Sequence, residues 1–380
     1  MRFPYLCFSK SLLNKKIYPG LNELRALAVL SVIPGHIEQV KSVFGLPYSY
    51  WFPIPGKVGV VLFFTLSGFL ITAILLREVS ERNYTLKKFY IKRALRILPL
   101  YFIVILVSIF LFNRLEFFSI PEVTKSAMDN LNATTIMMLV FLLPNFIGFV
   151  IPYAGHLWSL GIEEQFYILQ PLLIKFVNNL WVVLFSLFFV VLLKEIIEFV
   201  IYPLSGYRLE VLLNQASYYS CIAIGSLSAI ITCIKSPWVK VVIHSRYVQL
   251  MSFLVFCLFI YMVNKAGVED FIDWRFYSVL FSVVIINVST NSNNYFSFRS
   301  KVLNFIGEIS YGIYMYHVFA IGFAIAIYKN VAFLYVNLHP NLVIYLFSIL
   351  ISLCMSWLSY RYLESFFTCK CSPYKRISSK

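Results

Sequence analysis

The stretch HLWSLGIEEQFYILQP, residues 156–171, is the most informative part of the sequence. It lies in a run that is apolar enough to cross a bilayer as a helix, yet it carries two adjacent carboxylates, Glu163 and Glu164. An ionisable side chain at membrane depth costs at least ~2.5 kcal/mol and persists where it faces protein or water and has a partner. We therefore interpret the stretch as part of a functional site enclosed by helices. The alternative is a purely structural ion pair or an interfacial acid.

The composition indicates an integral membrane protein. Of the 380 residues, 60% are hydrophobic and only 13% are charged, whereas a soluble domain carries about 25% charged residues. Apolar runs of about 20 residues suit helices rather than barrel strands. The net charge of +15 comes from Lys and Arg clustered between these runs, which is typical of cytoplasmic loops. We therefore expect membrane lipid and no nucleic acid as a partner. The seven cysteines form no C-x-x-C pair, so we expect neither a metal nor a disulfide framework.

The apolar runs predict an all-α integral membrane protein, a bundle of about ten transmembrane helices in a bacterial inner membrane. A basic cytoplasmic segment (1–20) precedes the membrane domain (21–366), and a basic cytoplasmic tail (367–380) follows it. No soluble domain is expected. The predicted spans are 21–40, 58–76, 97–112, 157–177, 180–200, 217–234, 247–263, 276–290, 303–327 and 341–363.

One apolar run, 134–151, is predicted to be a re-entrant or interfacial helix rather than a span. The basic segments around Arg96 and Lys235 both belong in the cytoplasm by the charge bias, so the number of spans between them must be even. Five candidate runs lie there. The run 134–151 is the weakest, because Pro144 and Gly148 interrupt it.

The same topology brings a base and an acid to one depth of the membrane. His36 lies in the outer half of the first span, and Glu163 and Glu164 lie in the outer half of the fourth. A carboxylate beside an imidazole fixes its tautomer and stabilises its protonated form. A histidine so held can take a proton from an alcohol. Glu38 is a second candidate partner, but its position two residues along the helix points it to another face.

Three cations near the inner boundary are candidates for binding an anion. Arg25 precedes His36 by eleven residues, so the two share a helical face within about 20° and lie roughly 16 Å apart. Arg25 therefore suits an anionic ligand entering from the cytoplasm, or it reaches the membrane interface. Arg93 and Arg96 are three residues apart on one face. Such guanidiniums bind phosphates, and they also serve as topological anchors.

A second polar face is predicted in the ninth span, within the residues 307–317. It combines small residues with Tyr314 and His317. His317 is a candidate second base, although aromatic packing is the favoured interpretation. Ser67, in the second span, lacks a G-x-S-x-G context and is a poor candidate for a nucleophile.

Taken together, six motifs resemble the acyltransferase 3 family of membrane acyltransferases. They are Arg25-x10-His36, GVVLFFTLSGFLI, FYIKRALRILPLY, HLWSLGIEEQFYILQPLL, IGEISYGIYMYH and the terminal RYLE. The resemblance covers about residues 20–366, and the order of the motifs makes it more specific than any one of them.

The resemblance implies a ten-helix membrane enzyme that moves an acyl group, commonly acetyl from cytoplasmic acetyl-CoA, to a hydroxyl. Implied acceptors are polysaccharides of the cell envelope, including lipopolysaccharide O-antigen. By motif position, His36 would be the catalytic histidine, Arg25 its companion, and Arg93 and Arg96 the donor-binding pair. Glu163 would match the family glutamate. Because Glu164 follows directly, the choice between these two acids stays open.

The sequence predicts an O-acetyltransferase in which His36 acts as a base or first takes the acyl group itself. Some family members carry an additional esterase-like domain. Because no such domain is expected in this chain, we expect it to act alone or with a separate periplasmic transferase. Two other functions fit the same residues. One is a glycan or lipid transporter with His36 and the glutamates as a proton relay. The other is a donor module that hands acyl groups to that separate transferase.

Overall fold

The structure, a computed structural model, describes most of the chain, and every element in the described part is helical. The described residues are 20–47, 55–81, 84–111, 115, 118, 121–177, 180–201, 208–233, 239–266, 273–291, 293–295, 300–331 and 340–369. The predicted N-terminal segment, except residue 20, and the tail beyond residue 369 lie outside this part.

Fifteen α-helices follow one another along the described chain. Helices α1 to α5 are Leu21–Val43, Gly56–Ser80, Leu86–Leu106, Pro121–Asp129 and Ala133–Val140. Helices α6 to α10 are Leu157–Phe176, Leu180–Val191, Leu193–Ile201, Arg208–Cys233 and Arg246–Ala266. Helices α11 to α15 are Trp274–Thr290, Lys301–Glu308, Ser310–Val331, Pro340–Leu358 and Ser365–Cys369. Short π-helical turns, Val107–Leu111 and Ser359–Glu364, extend α3 and α14.

The helices support the expectation of a membrane protein. Within the described residues, five are long and apolar enough to cross a bilayer: Gly56–Ser80, Leu86–Leu111, Gln215–Cys233, Ser310–Asn330 and Asn341–Thr368. Helical structure occurs in each of the ten predicted segments, but the segment 180–200 divides into α7 and α8, and 303–327 divides into α12 and α13. The number of about ten crossings stays a prediction.

The run 134–151 does not form one helix. Asn132 caps the start of α5 by accepting a hydrogen bond from the backbone nitrogen of Thr135 at 3.0 Å. The chain then turns at Leu142, whose φ of 60° lies in the left-handed region, and Pro144–Phe146 forms a 3-10 turn. Proline at 144 cannot donate a backbone hydrogen bond, so it does not continue α5. The relation of this segment to the membrane stays a prediction.

The chain divides into two compact units. Unit 1 comprises Met1–Ala28, Pro53–Leu86 and Ile162–Gly307. Unit 2 comprises Val29–Phe52, Lys87–Gly161 and Glu308–Lys380.

Unit 1 is built around the contact between α2 and α9. A Cβ atom at Gly68 would lie 1.9 Å from the carbonyl oxygen of Ile222, and one at Gly225 would lie 2.1 Å from that of Thr65. Only glycine allows the two backbones to approach this closely, as is common between membrane helices. The hydroxyl groups of Thr65 and Ser278, 2.8 Å apart, link α2 to α11 in the same unit.

Unit 2 is built around the contact between α13 and α14. The segment before α6 packs on this pair through Tyr153, whose hydroxyl donates to the carbonyl oxygen of Phe118 at 2.9 Å. The ring of Tyr153 faces Gly322, where an added Cβ would lie 2.7 Å from it. These contacts position the N-terminal end of α6, where the informative sequence stretch begins.

Candidate active site

Three histidines from distant parts of the sequence form a cluster within unit 2. His36 lies on α1, His156 directly precedes α6, and His317 lies on α13. The ring centroid of His317 is 4.8 Å from that of His36 and 4.9 Å from that of His156. His156 and His317 are buried, whereas His36 is half-buried. His36 is therefore the most exposed of the three histidines.

The three rings differ in how they are held. His317 Nδ1 is 2.6 Å from the backbone carbonyl oxygen of Tyr314, and His317 Nε2 is 3.2 Å from His36 Nδ1. Both ring nitrogens of His156 are buried. Among the residues that the structure describes, no group of three His, Cys, Asp or Glu residues is arranged to hold a metal ion.

Tyr314 connects the histidine cluster to the start of α6. Its hydroxyl lies 2.6 Å from Ser159 Oγ and donates to the carbonyl oxygen of His156 at 3.0 Å. Because its own carbonyl accepts from His317, this one residue contacts the backbone or side chain of both buried histidines. The cluster is thus fixed to two helices by hydrogen bonds that do not use the ring of His36.

A second polar cluster on α1 has a different character. Lys41 Nζ is 3.0 Å from each oxygen of the Glu38 carboxylate and donates to Asn341 Oδ1 at 2.6 Å. The hydroxyl of Tyr345 donates to Glu38 Oε1 at 2.9 Å. Lys41 and Glu38 are only 1% and 4% exposed. Glu38 therefore belongs to a buried ion pair.

Glu163 lies in unit 1, where two hydroxyl groups hold its carboxylate. Ser67 Oγ donates to Glu163 Oε1 at 2.6 Å, and the hydroxyl of Tyr167 donates to the same oxygen at 2.5 Å. Ser67, which the sequence offered only as a weak nucleophile candidate, thus has a positioning contact with the acid. Glu163 is half-buried, whereas the neighbouring Glu164 is buried.

The amides of the same helix cross-link α6 to its neighbours in unit 1. Gln170 Nε2 donates to Thr72 Oγ1 at 2.5 Å and to Ser226 Oγ at 3.1 Å, which joins α6 to α2 and α9. The hydroxyl of Tyr219 donates to Gln165 Oε1. These bonds fix the rotation of α6 and hence the direction in which Glu163 and Glu164 point.

The candidate donor-binding residues Arg93 and Arg96 lie within α3, and Arg25 lies near the start of α1. Arg93 is half-buried and Arg96 is exposed on α3, in unit 2. The hydroxyl of Tyr311 donates to the carbonyl oxygen of Ile97 at 2.8 Å, so the segment that carries the two arginines is joined to the helix that carries His317. Arg25 is half-buried on α1, in unit 1.

An all-helical membrane protein with a partly open imidazole beside two buried ones suits proton transfer in a site closed to bulk water. Comparison with known proteins identifies the family. A family model described as an acyltransferase domain matches residues 18–361. Because this match covers most of the chain, the protein belongs to that acyltransferase family, as the sequence motifs predicted.

Among the relatives of the chain are proteins named O-acetyltransferase OatA. OatA from Staphylococcus aureus strain NCTC 8325 / PS 47 is 26% identical over 366 residues, which cover 93% of this chain and 57% of the relative. OatA from Staphylococcus aureus strain MRSA252 has the same identity and coverage. The chain thus spans little more than half the length of these curated relatives. No solved structure matches the chain.

The structure adds a contact that the sequence did not predict, because His317 is hydrogen-bonded to Nδ1 of His36. The pairing of His36 with Glu163 or Glu164 stays a prediction. The sequence interpretation favoured aromatic packing for His317 and assigned no role to His156. The sequence did contain an indication of both histidines, because the motifs IGEISYGIYMYH and HLWSL each place a histidine near small and hydroxylated residues.

Proposed function

We propose that the protein is a membrane O-acetyltransferase that moves acetyl from cytoplasmic acetyl-CoA to a hydroxyl of a cell-surface polysaccharide or lipopolysaccharide O-antigen. Membership in the acyltransferase family and the similarity to proteins named O-acetyltransferase support the class of reaction. The observation that carries the proposal is His36, a half-buried residue whose ring is hydrogen-bonded to the fully buried His317. A fixed imidazole in a residue that is not fully buried suits a general base.

One base is sufficient for the transfer. Nε2 of His36 takes the proton of the acceptor hydroxyl, and the hydroxyl oxygen forms a bond to the carbonyl carbon of the thioester. The C–S bond then breaks, and the departing thiolate takes the proton from His36 to give coenzyme A. In the alternative route, Nε2 of His36 attacks the thioester carbonyl, and the C–S bond breaks to release the thiolate of coenzyme A. The acceptor oxygen then displaces the acetyl group from Nε2, and the proton of the hydroxyl passes to the thiolate. Both routes require His36.

We assign donor binding to Arg93 and Arg96, with Arg25 as a further candidate. Guanidiniums bind phosphate oxygens by paired, charge-assisted hydrogen bonds, and coenzyme A carries such phosphates. The exposure of Arg96 and the half-burial of Arg93 leave these side chains accessible. The bond from Tyr311 to Ile97 couples their helix to α13 within unit 2. No metal is part of this proposal.

A carboxylate is assigned the role of stabilising the protonated histidine. The family motif favours Glu163 over Glu164 for this role. The hydrogen bonds that the Ser67 and Tyr167 hydroxyl groups donate to Oε1 keep Glu163 oriented. Glu164 remains the alternative.

The proposal includes about ten crossings of the bacterial inner membrane with both termini in the cytoplasm. It puts residues 113–156 outside and residue 83, which lies outside the described residues, inside. Single cysteines at positions 132 and 83 in a functional Cys-depleted variant test this with a membrane-impermeant thiol reagent added from outside. Labelling at 132 alone is expected, and labelling at 83 alone would overturn this topology.

Two assays separate the enzyme from a carrier. Purified protein in nanodiscs is incubated with acetyl-CoA labelled in the acetyl group and a series of soluble oligosaccharides. Transfer of label to an oligosaccharide, with release of the free thiol, is the expected result. Flux of labelled oligosaccharide in proteoliposomes without loss of acetyl from the donor would favour a transporter with a proton relay instead. Acetyl transfer only after addition of a separate periplasmic transferase would favour the donor-module function.

A further inference from the structure

We propose that His317 is a positioning residue that holds His36 in the tautomer with a proton on Nδ1 and a free lone pair on Nε2. This proposal deepens the proposed function, because it names the residue that prepares the base. It rests on hydrogen bonds within unit 2 alone. The carboxylates of unit 1 play no part in it.

The argument starts at the backbone of α13. A carbonyl oxygen has no proton to donate, so the 2.6 Å contact between His317 Nδ1 and the carbonyl of Tyr314 requires a proton on Nδ1. A neutral imidazole carries only one ring proton. His317 Nε2 is therefore a bare acceptor whenever this ring is neutral.

The second step follows from the contact between the two rings. His317 Nε2 lies 3.2 Å from His36 Nδ1. Since the first of these nitrogens can only accept, the proton between them belongs to His36 Nδ1. Nε2 of His36 is then left with its lone pair, which is the form that a general base needs.

The surroundings keep this arrangement in place. His317 is fully buried, so water does not compete for its nitrogens. Tyr314, which supplies the fixed carbonyl, is itself tied to His156 and Ser159 through its hydroxyl. His36 is the only member of the three-ring cluster that is not buried. The backbone carbonyl of Tyr314 thus fixes the proton on His317, and His317 in turn fixes the proton on His36.

The hydrogen bond between His36 and His317 also stabilises the protonated, cationic form of His36. When His36 takes the acceptor proton on Nε2, its ring becomes cationic while Nδ1–H still donates to neutral His317 Nε2. A charge-assisted bond of this kind is roughly twice as strong as a neutral one. His317 thus accepts the hydrogen bond that fixes the tautomer, which is the orienting role of the carboxylate in hydrolase triads. Neutralising the positive charge stays with the carboxylate of the proposed function. The proton later leaves from Nε2 to the thiolate, so His317 returns unchanged.

The tautomer can be measured directly. Nitrogen-15 NMR of protein in nanodiscs, labelled only at histidine, has at most five imidazoles to resolve. The difference between the spectra of the wild-type protein and His36→Gln identifies the signals of His36. A protonated Nδ1 and a bare Nε2 on His36 at neutral pH are expected. A protonated Nε2 with a bare Nδ1 would overturn the proposal, whether or not acetyl transfer is detected. Absence of transfer by the wild-type protein would instead count against the proposed function.

Two substitutions separate the positioning role from simple packing. His317→Phe keeps a planar ring but cannot accept a proton, and we expect turnover to fall at least 10²-fold with little change in the Michaelis constant for the donor. His317→Gln retains an acceptor oxygen near the position of Nε2 and should recover part of that turnover. His244→Phe is the matched control, because it removes an imidazole hydrogen-bonded at 3.0 Å to Thr290 in unit 1. Turnover by His317→Phe at the level of this control would refute the proposal. Equal loss in the Phe and Gln variants, with thermal midpoints like that of the wild type, would refute it as well.

Discussion

Two polar clusters lie on α1 within unit 2, and their key residues are only two positions apart. His36 is half-buried, while its partner His317 is fully buried. Glu38 is buried and forms a network with Lys41, Tyr345 and Asn341. Both clusters place ionisable groups inside a membrane protein, where such groups are costly.

The two clusters differ in whether their ionisable groups are neutralised within the cluster. The network of Glu38 and Lys41 neutralises its charges internally and has the character of a structural tie between α1 and α14. The cluster of His36 ends in a half-buried histidine at the end of a chain of hydrogen bonds. Burial of an ionisable residue therefore does not by itself identify a catalytic group, and a half-buried base at the end of such a chain is the stronger candidate.

The largest effect on stability is expected for Lys41→Met. Removing the ammonium leaves the Glu38 carboxylate buried without its 3.0 Å partner. Breaking a buried pair in this way costs about 3–5 kcal/mol. A marked drop in the thermal midpoint in detergent is the expected result. The double variant Glu38→Gln/Lys41→Met removes both charges and should recover much of the loss. If the single variant is as stable as the wild type, the structural interpretation of this network is wrong.

A smaller effect, on transfer rather than stability, is expected for Glu163→Gln. The amide still accepts the hydrogen bonds of Ser67 and Tyr167, but it cannot stabilise a cation, so acetyl transfer should fall by roughly 10²-fold. Glu164→Gln is the matched control and should lose less activity. Initial rates at equal membrane expression give the comparison. A larger defect in Glu164→Gln would reverse the assignment of the two acids.

The helices of the fold could be predicted from the sequence, but several contacts of the candidate site could not. Runs of about 20 apolar residues predicted helical segments well, because a bilayer-spanning chain must satisfy its backbone hydrogen bonds internally. The choice of His36 came from its predicted depth in the membrane, which matches that of Glu163 and Glu164, and from its motif. The contact of His36 with His317 could not be predicted, because His317 is 281 residues away and its proximity depends on the packing of α1 against α13. Lys41 was missed for the same reason, since Asn341 and Tyr345 come from the other end of the chain.

The smallest effect is expected on the donor side. Arg93→Ala and Arg96→Ala should each raise the Michaelis constant for acetyl-CoA about tenfold, since a hydrogen bond to a charged group contributes about 1.5–3 kcal/mol. Turnover at saturating donor and thermal stability should change little. Lys87→Ala, which removes an exposed cation from the same helix, is the control. Unchanged kinetics in both arginine variants would return these residues to the role of topological anchors.

The measurement that tests the central claim most directly is the rate of acetyl transfer by His36→Ala per mole of folded protein. Loss of a general base lowers a rate by about 10²–10⁴-fold. We expect a decrease in that range, with the thermal midpoint and the affinity for acetyl-CoA close to those of the wild type. A His36→Ala protein that is folded, binds the donor and transfers acetyl within tenfold of the wild-type rate would contradict the account.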